Sequence, residues 1–247
     1  MLKRALINSS MLCSVFLGLA QALPGDATTT VSRTVRVTWL GHACFKIETG
    51  SGTVIVTDPY SEKTGYTLPR VAADIVTVSH HHYDHDNAGA VAGSPRIVDE
   101  VGKIVIGSTI IEGIDSFHDE VSGSKRGKNV IFKFFVDGLV VVHMGDFGQP
   151  LSGDQLDALG DVDILMIPVG GTFTIDHIQA AEIVRELKPK IVLPMHYKTD
   201  DCTINIGPVG PFLESMPVVR EEGVTIGLSA NELPAETEVW LMRYARA

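Results

Sequence analysis

The chain has 247 residues, of which 45% are hydrophobic, and a formal net charge of −10 at pH 7. This length and composition suffice for one large domain or two small ones with a buried core. The acidic balance argues against nucleic acid and anionic membranes as partners, because both bind clustered lysines and arginines, and a small-molecule substrate is the expected partner.

The first 22 residues have the features of a secretory signal peptide. A basic start at 1–4 precedes an apolar stretch, and Ala20-Gln21-Ala22 supplies the small residues of a cleavage site. The uninterrupted apolar run 11–20 is too short for a transmembrane helix. We therefore expect a signal peptide over 1–22 and a secreted or periplasmic mature chain over 23–247, without stable membrane insertion after cleavage. The alternative is a frayed extension of the soluble domain.

Strand-like runs dominate the first part of the mature chain. Short β-branched and aromatic runs separated by glycine-containing turns predict strands. Their ranges are 35–40, 44–48, 53–59, 75–79, 96–98, 103–111, 130–138 and 139–146. Asp137-Gly138, between the last two runs, is a strong hairpin signal.

After residue 150 the pattern changes to strands that alternate with helices. Residues 153–160 and 176–188 predict helices, and residues 163–168, 191–197 and 237–244 predict strands. In the second helix Asp176 is the expected N-cap and Pro189 follows the end. Its apolar face is expected to contain Ile178, Ala181, Ile183, Val184 and Leu187. Because no linker divides the series, we expect one domain with sheets inside and helices outside.

Histidines and aspartates collect at the ends of the predicted strands. The segment SHHHYDHD, residues 79–86, follows the strand 75–79 directly. His118, Asp146 and His196 likewise stand at or just after the ends of strand-like runs far along the chain. Loops at strand ends meet above a rigid sheet, so these side chains are candidates for one site.

The spacing within the histidine segment predicts a metal site. In an extended segment residues two apart point the same way, so His80 and His82 can hold one cation. After a turn, Asp84 and His85 can reach a second cation, with Asp146 as the candidate bridging carboxylate. Imidazole and carboxylate ligands favour zinc, with manganese and iron as alternatives.

The third nitrogen ligand of the first cation has two candidates, His118 and His143. If the strand 139–146 is regular to its end, His143 and Asp146 face opposite sides of the sheet. This parity favours His118 as the ligand and leaves His143 beside the site, although Gly145 can bend the strand.

The order of the motifs resembles that of the metallo-β-lactamase fold superfamily. His80, His82, Asp84 and His85 form its HxHxDH motif. The other shared motifs, over about residues 38–197, are GHACFKIE, the strand ending in Asp58-Pro59, a lone His118, HMGD, IPVGGTFTID and PMHY. More narrowly, the chain is similar to zinc-dependent hydrolases related to ascorbate-6-phosphate lactonases and N-acylphosphatidylethanolamine phospholipase D.

The resemblance implies an α/β fold, a four-layer αββα sandwich in a single domain. It also implies two metal ions with distinct ligands. The first would be held by His80, His82 and His118, the second by Asp84, His85 and His196, with Asp146 between the ions. An acid at the position of Asp58 supports the metal ligands in this family.

The expected function is metal-dependent hydrolysis. Two zinc ions would activate water for attack on an ester, lactone or phosphodiester of a small molecule, with Asp84, Asp146 and His143 as catalytic residues. The leaving group could receive its proton from His143, Tyr197 or Lys198. Two alternatives of other classes are an iron-dependent oxidoreductase on the same fold and a non-catalytic metal-binding protein.

Three residues outside the motif are less clearly assigned by the sequence. His42 either supports the metal ligands or packs in the core. Cys44 and Cys202 are not expected to form a disulfide, because sequence gives no sign that they are close. The sequence does not indicate an oligomeric state.

Overall fold

The computed structural model describes residues 34–247, which lie within one compact unit. The predicted signal peptide lies outside the described residues, so export remains a prediction from the sequence. Among residues 34–247 no helix is both long and apolar enough to cross a membrane. Cys44 and Cys202 are buried as free thiols.

The described chain is built mainly from short strands. In chain order they are β1 (Val35–Gly41), β2 (Cys44–Glu48), β3 (Val54–Thr57), β4 (Ile75–Thr77), β5 (Arg96–Val98), β6 (Gly102–Ile106), β7 (Thr109–Phe117), β8 (Lys128–Val136), β9 (Leu139–His143), β10 (Ile164–Pro168), β11 (Ile191–Met195), β12 (Val219–Glu222), β13 (Thr225–Leu228) and β14 (Glu238–Met242). The α-helices are α1 (Gly153–Leu159), α2 (His177–Leu187) and α3 (Gly210–Glu214).

The strands form two sheets that each combine antiparallel and parallel pairs. The first sheet has the order β13-β1-β2-β3-β4-β5, and the second has the order β12-β14-β11-β10-β9-β8-β7-β6. In the first sheet β3, β4 and β5 are parallel. In the second sheet β9, β10, β11, β14 and β12 are parallel. Parallel strands end at the same edge of a sheet, which brings the segments that follow them together.

The hydrophobic core lies between the two sheets. Phe45 and Ile55 of the first sheet belong to the same buried cluster as Phe132 and Val141 of the second. Successive residues of a strand point to opposite faces, so the neighbouring residues of β2 and β3 face away from this cluster. They contribute to a smaller cluster on the other face of the first sheet.

The outer layers are unequal. Helix α2 packs against the second sheet through Ala180, Ala181, Ile183 and Val184. The outer face of the first sheet is covered by loop residues, including Tyr60, Tyr66 and Cys202, and by two 3₁₀-helices, Glu62–Thr64 and Ala88–Ala90. The predicted α/β fold with two central sheets in a single domain is confirmed, and the outer layer over the first sheet consists mainly of loops.

Local signals placed several boundaries correctly. The Asp137-Gly138 hairpin is confirmed, because Val136 pairs with Leu139 and both turn residues have positive φ, 48° and 83°. Asp176 is the N-cap of α2 and forms a capping box with Gln179.

Other expectations were wrong. The run 103–111 forms two antiparallel strands, β6 and β7, because Gly107 and Ser108 make a two-residue turn within it. Ile178 is 57% exposed, so it lies off the buried face of α2. The short elements α3, β12 and β13 were not predicted.

Candidate metal centre

The structure brings the predicted metal ligands together at one edge of the two sheets. The segment 79–85 follows β4 of the first sheet, whereas three ligands follow strands of the second sheet, β7, β9 and β11. These three are His118, Asp146 and His196. Six of the seven predicted ligands are more than nine-tenths buried, and His82 is the exception.

Two groups of side chains have ligand atoms within 4.8 Å of one another, and a third set, Asp58, His80 and His85, overlaps both. The first group contains His80, His82 and His118. The second group contains His42, Asp84, His85 and His196. Each group combines residues from both sheets.

Asp146 lies between the two groups. Its Oδ1 is 3.1 Å from His85 Nε2, and its Oδ2 is 3.3 Å from His196 Nε2. The same Oδ2 is 3.2 Å from His118 Nε2 and 3.8 Å from His80 Nε2. One carboxylate therefore touches members of both groups.

These separations suit ligands of a shared cation. Two ligands about 2.0–2.1 Å from a tetrahedral zinc ion lie about 3.4 Å apart. The atoms that face one another also lack other partners, since His85 Nε2, His196 Nε2 and Asp146 Oδ1 are buried without a hydrogen bond. Such buried atoms are costly unless something coordinates them. The donor set therefore fits a metal.

The electrostatics of the cluster favour positive charge at its centre. Burial and then the neighbouring His85 lower the pKa of His80 to about 2. Burial alone would raise the pKa of Asp146, but His196 and His85 hold this pKa well below its ordinary value. Burial opposes protonation of His85, yet Asp146 and Asp58 raise its pKa well above the ordinary value. The two carboxylates thus draw positive charge to the centre, which a metal ion would supply.

A family model described as the beta-lactamase superfamily domain matches residues 36–196. The chain belongs to this superfamily. A UPF0173 metal-dependent hydrolase of Pelotomaculum thermopropionicum is 34% identical over 232 residues, which cover 80% of this chain and 95% of that protein. A UPF0173 metal-dependent hydrolase of Thermococcus kodakarensis is 31% identical over 196 residues, 67% of this chain and 85% of that protein.

A solved structure places the chain more closely within the metallo-β-lactamase superfamily. The Thermotoga maritima protein, a proposed zinc-dependent hydrolase of that superfamily, is 37% identical with a TM-score of 0.73, covering 85% of this chain and 100% of that one. The predicted superfamily is confirmed, and so at this level is the prediction of a metal-dependent hydrolase. The narrower similarity to lactonases and phospholipase D remains a prediction.

In this metallo-β-lactamase-superfamily chain, Asp58 supports the histidine segment from behind. Its Oδ2 accepts a hydrogen bond from His85 Nδ1 at 2.8 Å, and its Oδ1 accepts one from the Ser79 backbone N–H at 2.8 Å. A carboxylate that binds one ring nitrogen of a histidine fixes its tautomer and directs the other nitrogen to the metal. Asp58 therefore orients His85.

Replacing Asp58 with alanine is expected to lower metal affinity about 10- to 100-fold, because the His85 ring loses the acceptor for its Nδ1–H. Competition with a chromophoric zinc chelator would measure this change. The matched control is Asp86→Ala, since Asp86 pairs with the exposed His81 of the same segment. Equal affinity in the Asp58 and Asp86 variants would show that His85 is oriented without Asp58.

Asp146 is held in place by Asn129, a residue that the sequence did not single out. The Asn129 side chain accepts the Asp146 backbone N–H at 2.9 Å and donates to the carbonyl of Met144 at 2.9 Å. Gly145, between these residues, has a φ of +57°. A Cβ there would lie 2.4 Å from Asn129 Oδ1 and 2.5 Å from Ser79 Cβ. Only glycine permits this close approach to the metal centre.

Gly145→Ala is expected to lower the free energy of unfolding by about 2–4 kcal/mol, because an overpacked side chain adds to left-handed backbone strain. Urea denaturation of the metal-loaded protein would measure the loss. Gly153→Ala is the control, since a Cβ at Gly153 meets no atom within 4 Å. Similar stability of the two variants would contradict the packing argument.

His42, left open by the sequence, lies in the second group. Its Nε2 is 3.3 Å from Asp84 Oδ2, and its ring centroid is 4.2 Å from that of His196. Burial and then His196 lower its pKa to about 4. His42, Asp58 and His196 all have positive φ, between 38° and 52°. Such backbone strain concentrates at functional sites.

The three residues considered as proton donors make their contacts outside the two groups. His143 is fully buried, with Nε2 donating to the carbonyl of Ala43 at 2.7 Å and Nδ1 accepting the Gly145 N–H at 3.3 Å. Tyr197 is buried against Trp39, and the Lys198 ammonium donates to backbone carbonyls. The expectation that His143 is catalytic is therefore not supported by its position, because both ring nitrogens are engaged with the backbone.

Proposed function

We propose that the chain is a dinuclear, zinc-dependent hydrolase that uses water to cleave an ester, lactone or phosphodiester bond of a small molecule. The observation that carries this proposal is the position of Asp146. Its carboxylate contacts His85 through one oxygen and His118 and His196 through the other. A carboxylate between two groups of imidazoles is the arrangement expected of a bridging ligand.

In this proposal each group holds one ion. His80, His82 and His118 bind the first ion, and Asp84, His85 and His196 bind the second, with Asp146 shared. His42 donates to Asp84 and orients it. Imidazole and carboxylate ligands suit zinc, with manganese and iron as alternatives. When bound, the ions supply Lewis acidity and lower the pKa of water towards neutrality.

The carboxylates of the site orient the attacking water. Burial alone would raise the pKa of Asp84, but the hydrogen bond with His42 and the nearby His85 lower it below its ordinary value. Asp84 and Asp146 are thus both charged at neutral pH, and each can accept a hydrogen bond from water. Since His143 and Lys198 bond to the backbone and Tyr197 is buried against Trp39, the leaving group takes its proton from water or from a side chain near the substrate.

The groove beside the first group supports a small substrate. It has a volume of about 470 Å³ and is lined by His80 and His82 together with residues of the 126–130 segment. A larger cleft of about 990 Å³ is lined by the C-terminal strands and by Lys198, without any of the predicted metal ligands. We assign the substrate to the smaller groove, because its volume suits a small molecule and it reaches the metal ligands.

A substrate panel with defined metals tests the proposal. Protein loaded with zinc, manganese or iron would be assayed with a lactone, a 4-nitrophenyl ester and bis(4-nitrophenyl) phosphate, and oxygen consumption would be followed in parallel. Metal-dependent turnover of one of these classes is the expected result. Oxygen consumption with iron and no hydrolysis would indicate an oxidoreductase instead. Metal uptake without turnover of any probe would indicate a non-catalytic metal-binding protein.

A further inference from the structure

The groove beside His80 and His82 carries several charged side chains on its walls. Asp99, Asp115, Arg126 and Lys128 line it together with the two histidines and His81. A substrate bound in this groove would lie next to these charges and next to His80 and His82. Their pairing therefore bears on the kind of substrate that fits.

Most of these charges have a partner of opposite sign. Lys128 Nζ lies 3.4 Å from Asp115 Oδ1. His81 lies 3.6 Å from Asp99 and 2.8 Å from Asp86. The acidic groups of the groove are thus each matched by a basic side chain.

Arg126 differs from the other charged residues. Its guanidinium donates to the backbone carbonyl of Thr172 at 3.1 Å and lies 5.6 Å from the ring centroid of Phe173. Within residues 34–247 no salt bridge links it to a carboxylate. A neutral carbonyl and an aromatic face hold the cation but leave its charge uncompensated.

The loop that carries Arg126 is anchored at the metal centre. Asp119, directly after His118, accepts hydrogen bonds from four backbone N–H groups of this loop. They belong to Val121, Gly123, Lys125 and Arg126, at 2.7–3.0 Å. The backbone of Arg126 is therefore fixed relative to His118, and the contacts with Thr172 and Phe173 hold its guanidinium. Such pre-organisation reduces the entropy lost on binding.

From this arrangement, and resting on the hydrolase function proposed above, we propose that Arg126 binds an anionic group of the substrate. The substrate class is then an ester, lactone or phosphodiester that also bears a carboxylate or phosphate. A guanidinium fork matches the geometry of either anion and forms charge-assisted hydrogen bonds with it. The same contact would orient the scissile bond towards the metal ligands at the end of the groove.

Two esters with the same leaving group test this inference. Mono-4-nitrophenyl succinate carries a free carboxylate, whereas 4-nitrophenyl butyrate is a neutral ester of similar size. The wild-type protein is expected to have the higher kcat/KM for the succinate ester. Arg126→Gln is expected to reduce the succinate-to-butyrate ratio of kcat/KM about 10- to 100-fold, mainly through KM. Arg126→Lys should retain part of the preference, because it keeps the charge and loses the fork.

Lys103→Gln is the matched control, since Lys103 is an exposed cation of β6 outside the groove. It should leave both substrates unaffected. A succinate-to-butyrate ratio that is the same in the wild-type protein and Arg126→Gln would overturn the inference. A ratio that falls equally in Lys103→Gln would do so too, because a general change in surface charge would then explain the effect.

A binding measurement separates this inference from the hydrolase proposal. Calorimetric titration of succinate and of inorganic phosphate would compare the wild-type protein with Arg126→Gln at equal metal content. Weaker binding to the variant supports the anion site even if neither ester is hydrolysed, and equal binding of both anions overturns it. The anion with the larger loss identifies whether a carboxylate or a phosphate is the natural group.

Discussion

Asp146→Ala is expected to reduce kcat/KM at least about 1000-fold, the effect of losing several kcal/mol of charge stabilisation. The reason is that Asp146 touches both ligand groups, at 3.1 Å to His85 and 3.2 Å to His118. Its removal also takes away the negative charge that draws cations to the centre. Metal content measured by elemental analysis should fall below that of the wild-type protein.

Two further variants make this result interpretable. Asp146→Asn keeps the size of the side chain but loses its charge, so loss of activity with an unchanged near-ultraviolet circular dichroism spectrum would assign the effect to charge. Asp157→Ala removes an exposed carboxylate of α1 and should behave as the wild-type protein. Full activity or full metal content in Asp146→Ala would refute the bridging role.

Removal of the metal is expected to abolish turnover and to lower the melting temperature by about 8–16 °C for each site that is emptied. Ions at about 1000 times their Kd contribute about 4 kcal/mol of stability per site, and each kcal/mol shifts Tm by about 2–4 °C in a chain of this size. The buried nitrogens of His85 and His196, which lack hydrogen-bond partners, account for the lost stability. Dialysis against a chelator followed by scanning calorimetry would measure the shift.

Reloading provides the control for this experiment. Zinc, manganese and iron added separately should restore Tm and activity to different extents, and the native ion is the one that restores both. His177→Ala, a change at a histidine of α2 outside both ligand groups, should leave the chelator effect intact. Identical melting curves for the metal-free and reloaded protein would exclude a buried metal centre.

The centre was predictable because its residues stand at strand ends. The segment 79–86 follows β4, and His196 follows β11 directly. The sequence alone therefore predicted that both lie at the ends of strands, where one site could form. Strand parity favoured His118 over His143, and the structure has His118 in the first group and the His143 ring bonded to the backbone. The premise of the parity argument was nevertheless wrong, because β9 ends at His143 and Gly145 has a φ of +57°, so the strand is not regular as far as Asp146.

The residues that support the centre were not predictable in the same way. Asn129 lies within the apolar strand β8, and nothing in its neighbours indicates a partner near Asp146. His42 follows a register shift of β1 and has a φ of 52°, so strand periodicity does not define its direction. Such contacts depend on how distant strands approach, which local propensity does not determine.

The limits of local reasoning also appear in the fold. The run of β-branched residues in 103–111 predicted one strand and gave no sign of the turn at Gly107. The edge strand β12 is mostly exposed, so it has no apolar face from which a strand could be predicted. Helix periodicity predicted that Ile178 is buried in the core. In the structure Ile178 is exposed and α2 buries Ala180. In each case the structure follows from packing against neighbours rather than from the segment itself.

Because each ligand group draws on both sheets, neither sheet alone can capture an ion with its full set of donors. His80 and His82 need His118 from the opposite sheet, so ion uptake has to follow docking of the sheets. Metal should therefore slow the unfolding limb of a chevron plot and leave the folding limb unchanged. A bound ion would therefore stabilise the chain only after the two sheets have docked. Its dissociation rate would then govern the kinetic lifetime of the native chain.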